Sequence, residues 1–190
     1  RLRIWNFATR RLVHEFEPSG PPAWRGNFSR RGDIVLGFGD GSVTVWKAEA
    51  GWAQTNFPAH RRSVVGACFT PDGRTLATGG EEGTAKLWNV ATHREIATLR
   101  GHLRSIHAVD ISPDSGRLAT AAGGVETIKL WDLHTHQELI TLASESTLLV
   151  ALRFTPDGNK IVGYNDRARI QIWTAPSWAE IEAAEKARPQ

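Results

Sequence analysis

The sequence predicts an all-β chain of tandem four-stranded blades, a partial β-propeller, and three observations predict it. Five of the eight Trp fall at Trp5, Trp46, Trp88, Trp131 and Trp173, at intervals of 41, 42, 43 and 42 residues. Each closes a short β-like run, from Arg-Leu-Arg-Ile-Trp5 through Thr-Ala-Lys-Leu-Trp88 to Arg-Ile-Gln-Ile-Trp173. A second marker keeps the same beat: Phe28-Ser, Phe69-Thr-Pro-Asp-Gly, Ile111-Ser-Pro-Asp-Ser-Gly and Phe154-Thr-Pro-Asp-Gly recur at intervals of 41, 42 and 43. Third, no helical periodicity occurs before residue 176. A period near 42 with several strands and turns per unit marks a propeller blade.

The unit beginning at His60 shows each element in order. Val64 to Phe69 is β-branched and apolar, strand a. Pro71-Asp72-Gly73 is a turn, with Pro fixing φ and Gly free to take φ > 0. Thr75 to Thr78 is strand b, Gly79 to Gly83 a tight turn, and Thr84 to Trp88 strand c. Ala91 to Arg94 turns again into the outer strand d, Glu95 to Leu99. Strands a to c are apolar on both faces, as blades packed face to face require, and strand d is half polar. The chain holds three full blades, a leading c–d half at Arg1 to Phe16 and a trailing a–b–c unit at Leu148 to Trp173. It reads as a piece of a longer chain, because strands a and b of the Trp5 blade are absent. The competing arrangement is a four-blade ring closed by Arg11 to Phe16 pairing beside Arg169 to Trp173.

These residues resemble the WD-repeat β-propeller family over residues 1–174. The specific marks are Gly101-His102 before strand a, Ser112-Pro113-Asp114 after it, and Lys129-Leu130-Trp131-Asp132 closing strand c. The resemblance implies a buried network joining a His before strand a, a Ser or Thr in strand b, an Asp in the b–c turn and the Trp of strand c. Such a network is tolerable inside only when every member is satisfied. Here the implied members are His60, Thr78 and Trp88, with Glu82 where Asp is usual, and His102, Thr120 and Trp131, with Glu126 in a turn one residue longer. The Trp46 unit keeps Asp40 but lacks the His and Thr. The Trp173 unit has Gly163 at the Thr position, no His, and Asp166 one place out of register.

Residues 175–190 form a separate C-terminal tail. Ser177 and Glu180 make a capping box, and Ala, Glu and Lys dominate, so the tail reads as a helix with Trp178 and Ile181 one turn apart. The competing reading is strand d, since Glu180-Ile181 aligns with Glu95-Ile96. The ending also resembles the tails of bacterial WD-repeat regions, some fused to serine/threonine kinase domains. That resemblance implies an alternative function as a regulatory or targeting module of an upstream enzyme.

Charge and composition exclude several classes. Lys plus Arg is 23 against 20 Asp plus Glu, a net charge of +3 that is too mild to imply nucleic acid. On the face of the d–a and b–c loops, Arg61, Arg62, Arg100, Arg104 and Arg167 are met by Asp40, Glu81, Glu82, Glu126, Glu145 and Asp166. No one-sign stripe forms, so no nucleic-acid partner is expected. The longest apolar run, Leu148 to Leu152, is too short to span a membrane. One cysteine, Cys68, excludes an internal disulfide and suits a cytoplasmic compartment; inside strand a it is an inert small hydrophobe. His134 and His136 alternate like a metal pair but have no third ligand in view. Glu81-Glu82 are adjacent in a turn and point apart. No nucleophile–base arrangement and no phosphate loop appear, so neither catalysis nor a cofactor is expected.

What remains is a non-catalytic scaffold for a protein or peptide partner. Loops on a rigid frame are where recognition sits. The resemblance makes the d–a and b–c loop face the partner surface, with Arg61, Arg62, Glu81, Arg104 and Arg167 as candidates; Arg is enriched at binding hot spots. Trp24 and Trp52 lie outside the repeat position, and Trp24 reads equally as an exposed anchor or as filler for the missing His. Open blade edges on a truncated chain would also promote self-association.

Overall fold

The computed structural model describes residues 1–17, 23–124, 127–143 and 148–174, with the side chain of Trp24 excepted. The readings placed on Trp24, Glu126, Glu145 and the tail from residue 175 therefore lie outside the described residues.

The described chain is a succession of antiparallel sheets. A two-stranded sheet comes first, β1 (Leu2–Asn6) and β2 (Arg11–Phe16). The second sheet is β3 (Ala23–Phe28), β4 (Ile34–Phe38), β5 (Ser42–Lys47) and β6 (Ala53–Pro58). The third is β7 (Val64–Phe69), β8 (Thr75–Gly80), β9 (Thr84–Asn89) and β10 (Glu95–Arg100). The fourth is β11 (Ile106–Ile111), β12 (Arg117–Ala122), β13 (Ile128–Asp132) and β14 (Glu138–Leu142). The last is three-stranded, β15 (Leu149–Phe154), β16 (Lys160–Asn165) and β17 (Ile170–Thr174). Strands follow one another in spatial order within every sheet, so each is a meander: a partial propeller of three full blades and two partial ones. One 3-10 turn, Ala48–Ala50, interrupts the β pattern in a c–d connection.

The turns have local causes. Asp72 accepts hydrogen bonds from the Thr70 hydroxyl at 2.6 Å and the Arg74 N–H at 3.0 Å, and Gly73 takes φ +70°. The Thr155–Asp157–Gly158 turn repeats this, with Gly158 at φ +72°. In Ile111-Ser-Pro-Asp-Ser-Gly the left-handed position falls on Ser115, φ +61°, and not on Gly116. The Asp114 side chain, bonded to Ser112 and Gly116 N–H, holds that turn and offsets a cost that Gly would avoid.

The b–c turn is shorter than its sequence suggests. Gly79 and Gly80 belong to β8, and Gly79 pairs with Gly66 of β7. A Cβ on Gly79 would lie 2.6 Å from Ile106 Cγ2 of the next blade, so glycine here permits close approach of two sheets. The turn itself is Glu81 to Gly83, closed by Gly83 at φ +82°.

Each hydrophobic core lies between neighbouring blades, and each holds one of the periodic Trp residues. Trp46 packs with Leu2, Ile4, Phe16 and Trp52; Trp88 with Val43, Val45 and Phe57; Trp131 with Leu99, Ile106 and Leu118. Trp173 is partly buried against Ala119, Ile128 and Leu149. Trp46, Trp88 and Trp131 are 1%, 6% and 3% exposed, whereas Trp5, in the two-stranded sheet, is 57% exposed. Trp52 has a definite place: it stacks on His14 and meets Phe16 edge-on, joining β2 to the second sheet.

The innermost strands β3, β7, β11 and β15 lie side by side around an axial groove, which the Arg25 guanidinium crosses to the Val150 carbonyl at 3.0 Å. The ring closure by β2 beside β17 does not occur: among the described strands β2 pairs with β1 and β17 with β16.

Candidate interaction face

The loops at the b–c end of the blades start from two buried relays. Trp88 Nε1–H donates to Thr78 Oγ1 at 2.9 Å, Thr78 Oγ1 lies 2.7 Å from His60 Nε2, and His60 Nδ1 lies 2.5 Å from Glu82 Oε1. One protonation pattern fits the three bonds: the indole donates to the hydroxyl, the hydroxyl to Nε2, and Nδ1–H to an ionised Glu82, whose Oε2 is buried without a partner among the described residues. Burial pulls His60 below the usual imidazole range, with Glu82 opposing. Burial pushes Glu82 upward, but the His60 hydrogen bond and its own backbone N–H bring it below the usual carboxylate range. The longer Glu thus reaches from where the shorter Asp is usual.

In the next blade His102 Nε2 lies 2.7 Å from Thr120 Oγ1, which accepts Trp131 Nε1–H at 2.8 Å. Burial first, then the Lys129 charge, pushes His102 down to about 4, with Glu138 opposing. The outer units differ. Leu36 stands across from Thr44, as Thr78 stands across from Lys86, and Trp46 Nε1 is buried without a partner among the described residues. A Cβ at Gly163 would lie 2.8 Å from the Trp173 ring, and Trp173 Nε1 donates instead to Ala143 O at 3.2 Å.

His60 immediately precedes Arg61-Arg62-Ser63, and His102 immediately precedes Leu103-Arg104-Ser105. Main-chain bonds then lace these loops to the b–c turns. The Ala59 and His60 N–H groups both donate to Gly41 O, at 3.0 and 2.9 Å. Glu81 N–H donates to Ser63 O at 2.9 Å, and Ser105 Oγ donates to Glu81 O at 2.8 Å. A Cβ on Gly83 would sit 2.9 Å from the carbonyls of both His102 and Arg104, so only glycine admits this contact. Residues 60–63, 81–83 and 102–105 therefore form one continuous ledge.

The ledge brings together Arg61, Arg62, Glu81 and Arg104, all exposed. It does not include Arg167, which lies in the turn after β16, where its N–H donates to Asn165 Oδ1 at 3.0 Å. Three residues join the ledge that sequence reasoning did not single out. Leu103 is 94% exposed; its signal is an apolar residue at the position that Arg61 holds in the preceding blade. Arg25 and His107 sit at the axial side. Burial and the Arg25 charge lower the His107 pKa and Glu81 raises it, which places His107 within electrostatic reach of both.

The other candidates have ordinary surroundings. Asp132 Oδ1 accepts the N–H groups of His134 and Thr135, both at 2.7 Å, which explains the His-Thr-His segment as turn chemistry. Among the described residues no group of three His, Cys, Asp or Glu could hold a metal ion, and no helix is long and apolar enough to cross a membrane. Cys68 is buried, and burial pushes its thiol pKa far up.

Comparison with known proteins agrees with this architecture. Residues 51–89 and 93–132 match the family described as WD domain, G-beta repeat. The chain is 27% identical over 128 residues to the human Angio-associated migratory cell protein, covering 64% of this chain and 28% of that protein. It is 30% identical over 98 residues to the Protein LST8 homolog of Drosophila melanogaster, covering 48% and 31% respectively. It is 30% identical over 86 residues to the Periodic tryptophan protein 2 homolog of Dictyostelium discoideum, covering 45% and 9%. The matched segments thus span under a third of each relative's length.

Proposed function

We propose that this chain, which belongs to the WD-repeat family, acts as a rigid, non-catalytic platform that binds a protein or peptide partner across the ledge of residues 60–63, 81–83 and 102–105. One observation carries the reading. The ledge backbone is cross-braced by Glu81 to both Ser63 and Ser105, while the side chains of Arg61, Arg62, Leu103 and Arg104 stand in solvent. Rigid loops bind at lower entropic cost, because little must be ordered on contact. Arg167 belongs to this reading only as a peripheral contact. A cytoplasmic setting fits the single buried thiol.

The test is selection of binders from an unbiased displayed-peptide library on the full chain. Selected peptides are then measured against Arg61→Ala/Arg62→Ala/Arg104→Ala and against Arg30→Ala/Arg74→Ala, which alters the a–b turns at the opposite strand ends. Losses of about tenfold or more are expected from the first set alone. Peptides equally sensitive to both sets, or to neither, overturn the assignment of this face.

A further inference from the structure

We infer that the ledge selects an acidic peptide segment, with carboxylate side chains flanking one apolar side chain that packs on Leu103. The inference rests on the platform reading above and names the chemistry of its partner.

Counting charges in the sequence balances this face; among the described residues of the ledge itself, arginines outnumber carboxylates. Asp40 accepts the Ser42 N–H at 2.9 Å and the Ser42 hydroxyl at 2.7 Å, and it is directed into its own turn. Glu82 accepts from His60 at 2.5 Å and from Thr84 at 2.8 Å, so its charge is committed inside the relay. Glu81 is the remaining carboxylate on the ledge itself. With it on the ledge are Arg61, Arg62 and Arg104, and Arg100 closes β10 nearby in the chain; all four are exposed, and none has a hydrogen-bonded or ion-paired side-chain partner among the described residues. Elsewhere several cations find carboxylates: Arg1 and Arg3 with Glu15, Lys86 with Glu95, Lys129 with Glu138, Arg153 with Asp110.

The arrangement fits carboxylates. Each guanidinium presents a planar fork of donors to a carboxylate, and the main chain fixes the two arginine-bearing loops on either side of Glu81. Leu103, at 94% exposure, immediately precedes Arg104 in the chain and offers an apolar contact next to a cation. An apolar centre with a charged rim is the anatomy of a peptide or protein interface. A polynucleotide would want a longer cationic track with stacking surfaces. The rings at the ledge are the imidazoles of His60, His102 and His107, all buried or half-buried, so they offer no exposed stacking platform.

The experiment uses fluorescein-labelled synthetic peptides of about a dozen residues, bound to the full chain at an ionic strength of about 150 mM. One has Glu on both sides of a central Leu, the second has Gln for every Glu, and the third has Gly for Leu. A single-stranded oligonucleotide of similar charge is the fourth probe. The Glu–Leu peptide is expected to bind at least about tenfold tighter than the Gln peptide and to weaken steeply with salt. Arg62→Glu/Arg104→Glu should abolish that preference, Leu103→Ser should remove the advantage over the Gly peptide, and Arg74→Glu should change neither. Arg62→Gln alone provides the milder variant if the double reversal alters the urea midpoint. Equal binding of Glu and Gln peptides, insensitivity to the ledge reversals, or tighter binding of the oligonucleotide overturns the inference. Library peptides that depend on the ledge but carry no acidic bias would sink this inference while leaving the platform standing. Absence of any ledge-dependent peptide removes both.

Discussion

Thr120→Val deletes one oxygen and keeps the shape of a residue that is 0% exposed. The hydroxyl is shared: it lies 2.7 Å from His102 Nε2 and accepts Trp131 Nε1–H at 2.8 Å. Removing it strands an acceptor and a donor at once. A buried polar group left without its partner costs about 1–3 kcal/mol. Water reaches His102 more easily than the indole, and the added methyl recovers part of the loss, so the expected total is about 2–4 kcal/mol. With a urea slope of about 2–3 kcal/mol/M for a chain of this size, the unfolding midpoint falls by about 1 M. Far-UV circular dichroism in urea reads this directly, with Thr92→Val in the exposed c–d turn as the control. Thr78→Val should behave alike, because Trp88 and His60 share that hydroxyl in the same way. A midpoint change under about 0.2 M in both variants, roughly 0.5 kcal/mol, would refute the view that these hydroxyls close buried relays.

Three further outcomes follow from the same geometry. His102 is held down to about 4, below its ordinary 6.5, so the unfolded chain takes up its proton first on acidification. Stability should fall between about pH 6.5 and about pH 4 by up to ~3 kcal/mol, with His60 contributing in the same direction, and urea midpoints of His102→Gln should show a shallower slope. Gly79→Ala places a Cβ 2.6 Å from Ile106 Cγ2 and 3.0 Å from Val109 Cγ1, and the forced separation of two blades should cost about 1–3 kcal/mol in the same urea assay. Finally, β17 carries Ile170 at 68% exposure and Ile172 at 57%, at the edge of its sheet among the described strands. The isolated 190-residue chain should therefore self-associate in sedimentation velocity, Ile172→Lys should reduce it, and a sharp monomer boundary at tens of micromolar in the unaltered chain would refute the argument.

The sequence made the blades legible because their causes are local. A Trp every 41 to 43 residues, a Pro-Asp-Gly turn and a β-branched run each act within a few positions, and the strands stand where those signals fall. What it hid depends on the neighbouring blade. Gly79 and Gly80 look like turn residues, yet they form a strand end because Ile106 of the next sheet presses on that spot. Glu82 looks like a departure from the usual Asp, yet its extra methylene still reaches His60. The relay residues His60, Thr78 and Trp88 are marked by the family resemblance, but not which carboxylates of the loop face are engaged in hydrogen bonds. Glu82 is drawn into the relay while Asp40, though bonded to Ser42, stays exposed, and a count of charges cannot see which way a carboxylate points. Leu103 carried a weak signal, an apolar residue where the previous unit has Arg61, and only its exposure shows what that means.

The relays and the ledge are linked by chain adjacency, and this fixes what each kind of substitution can do. Trp131 is packed between two blades, Thr120 ties it to His102, and the next residues are Leu103 and Arg104. The relay therefore anchors one end of the loop to the core, and the Ser105 bond to Glu81 anchors the other. Losing the relay frees the first anchor without touching an exposed side chain. Peptide affinity in Thr120→Val should then weaken modestly, through loop order that must be restored on binding, at about 0.5–1.5 kcal/mol for each immobilised side chain. Substituting Arg104 should instead weaken binding with no change in the urea midpoint. The two variants separate a loop held in place from a loop that makes contact. If Thr120→Val left affinity unchanged while lowering stability, the Glu81 brace alone would position the ledge.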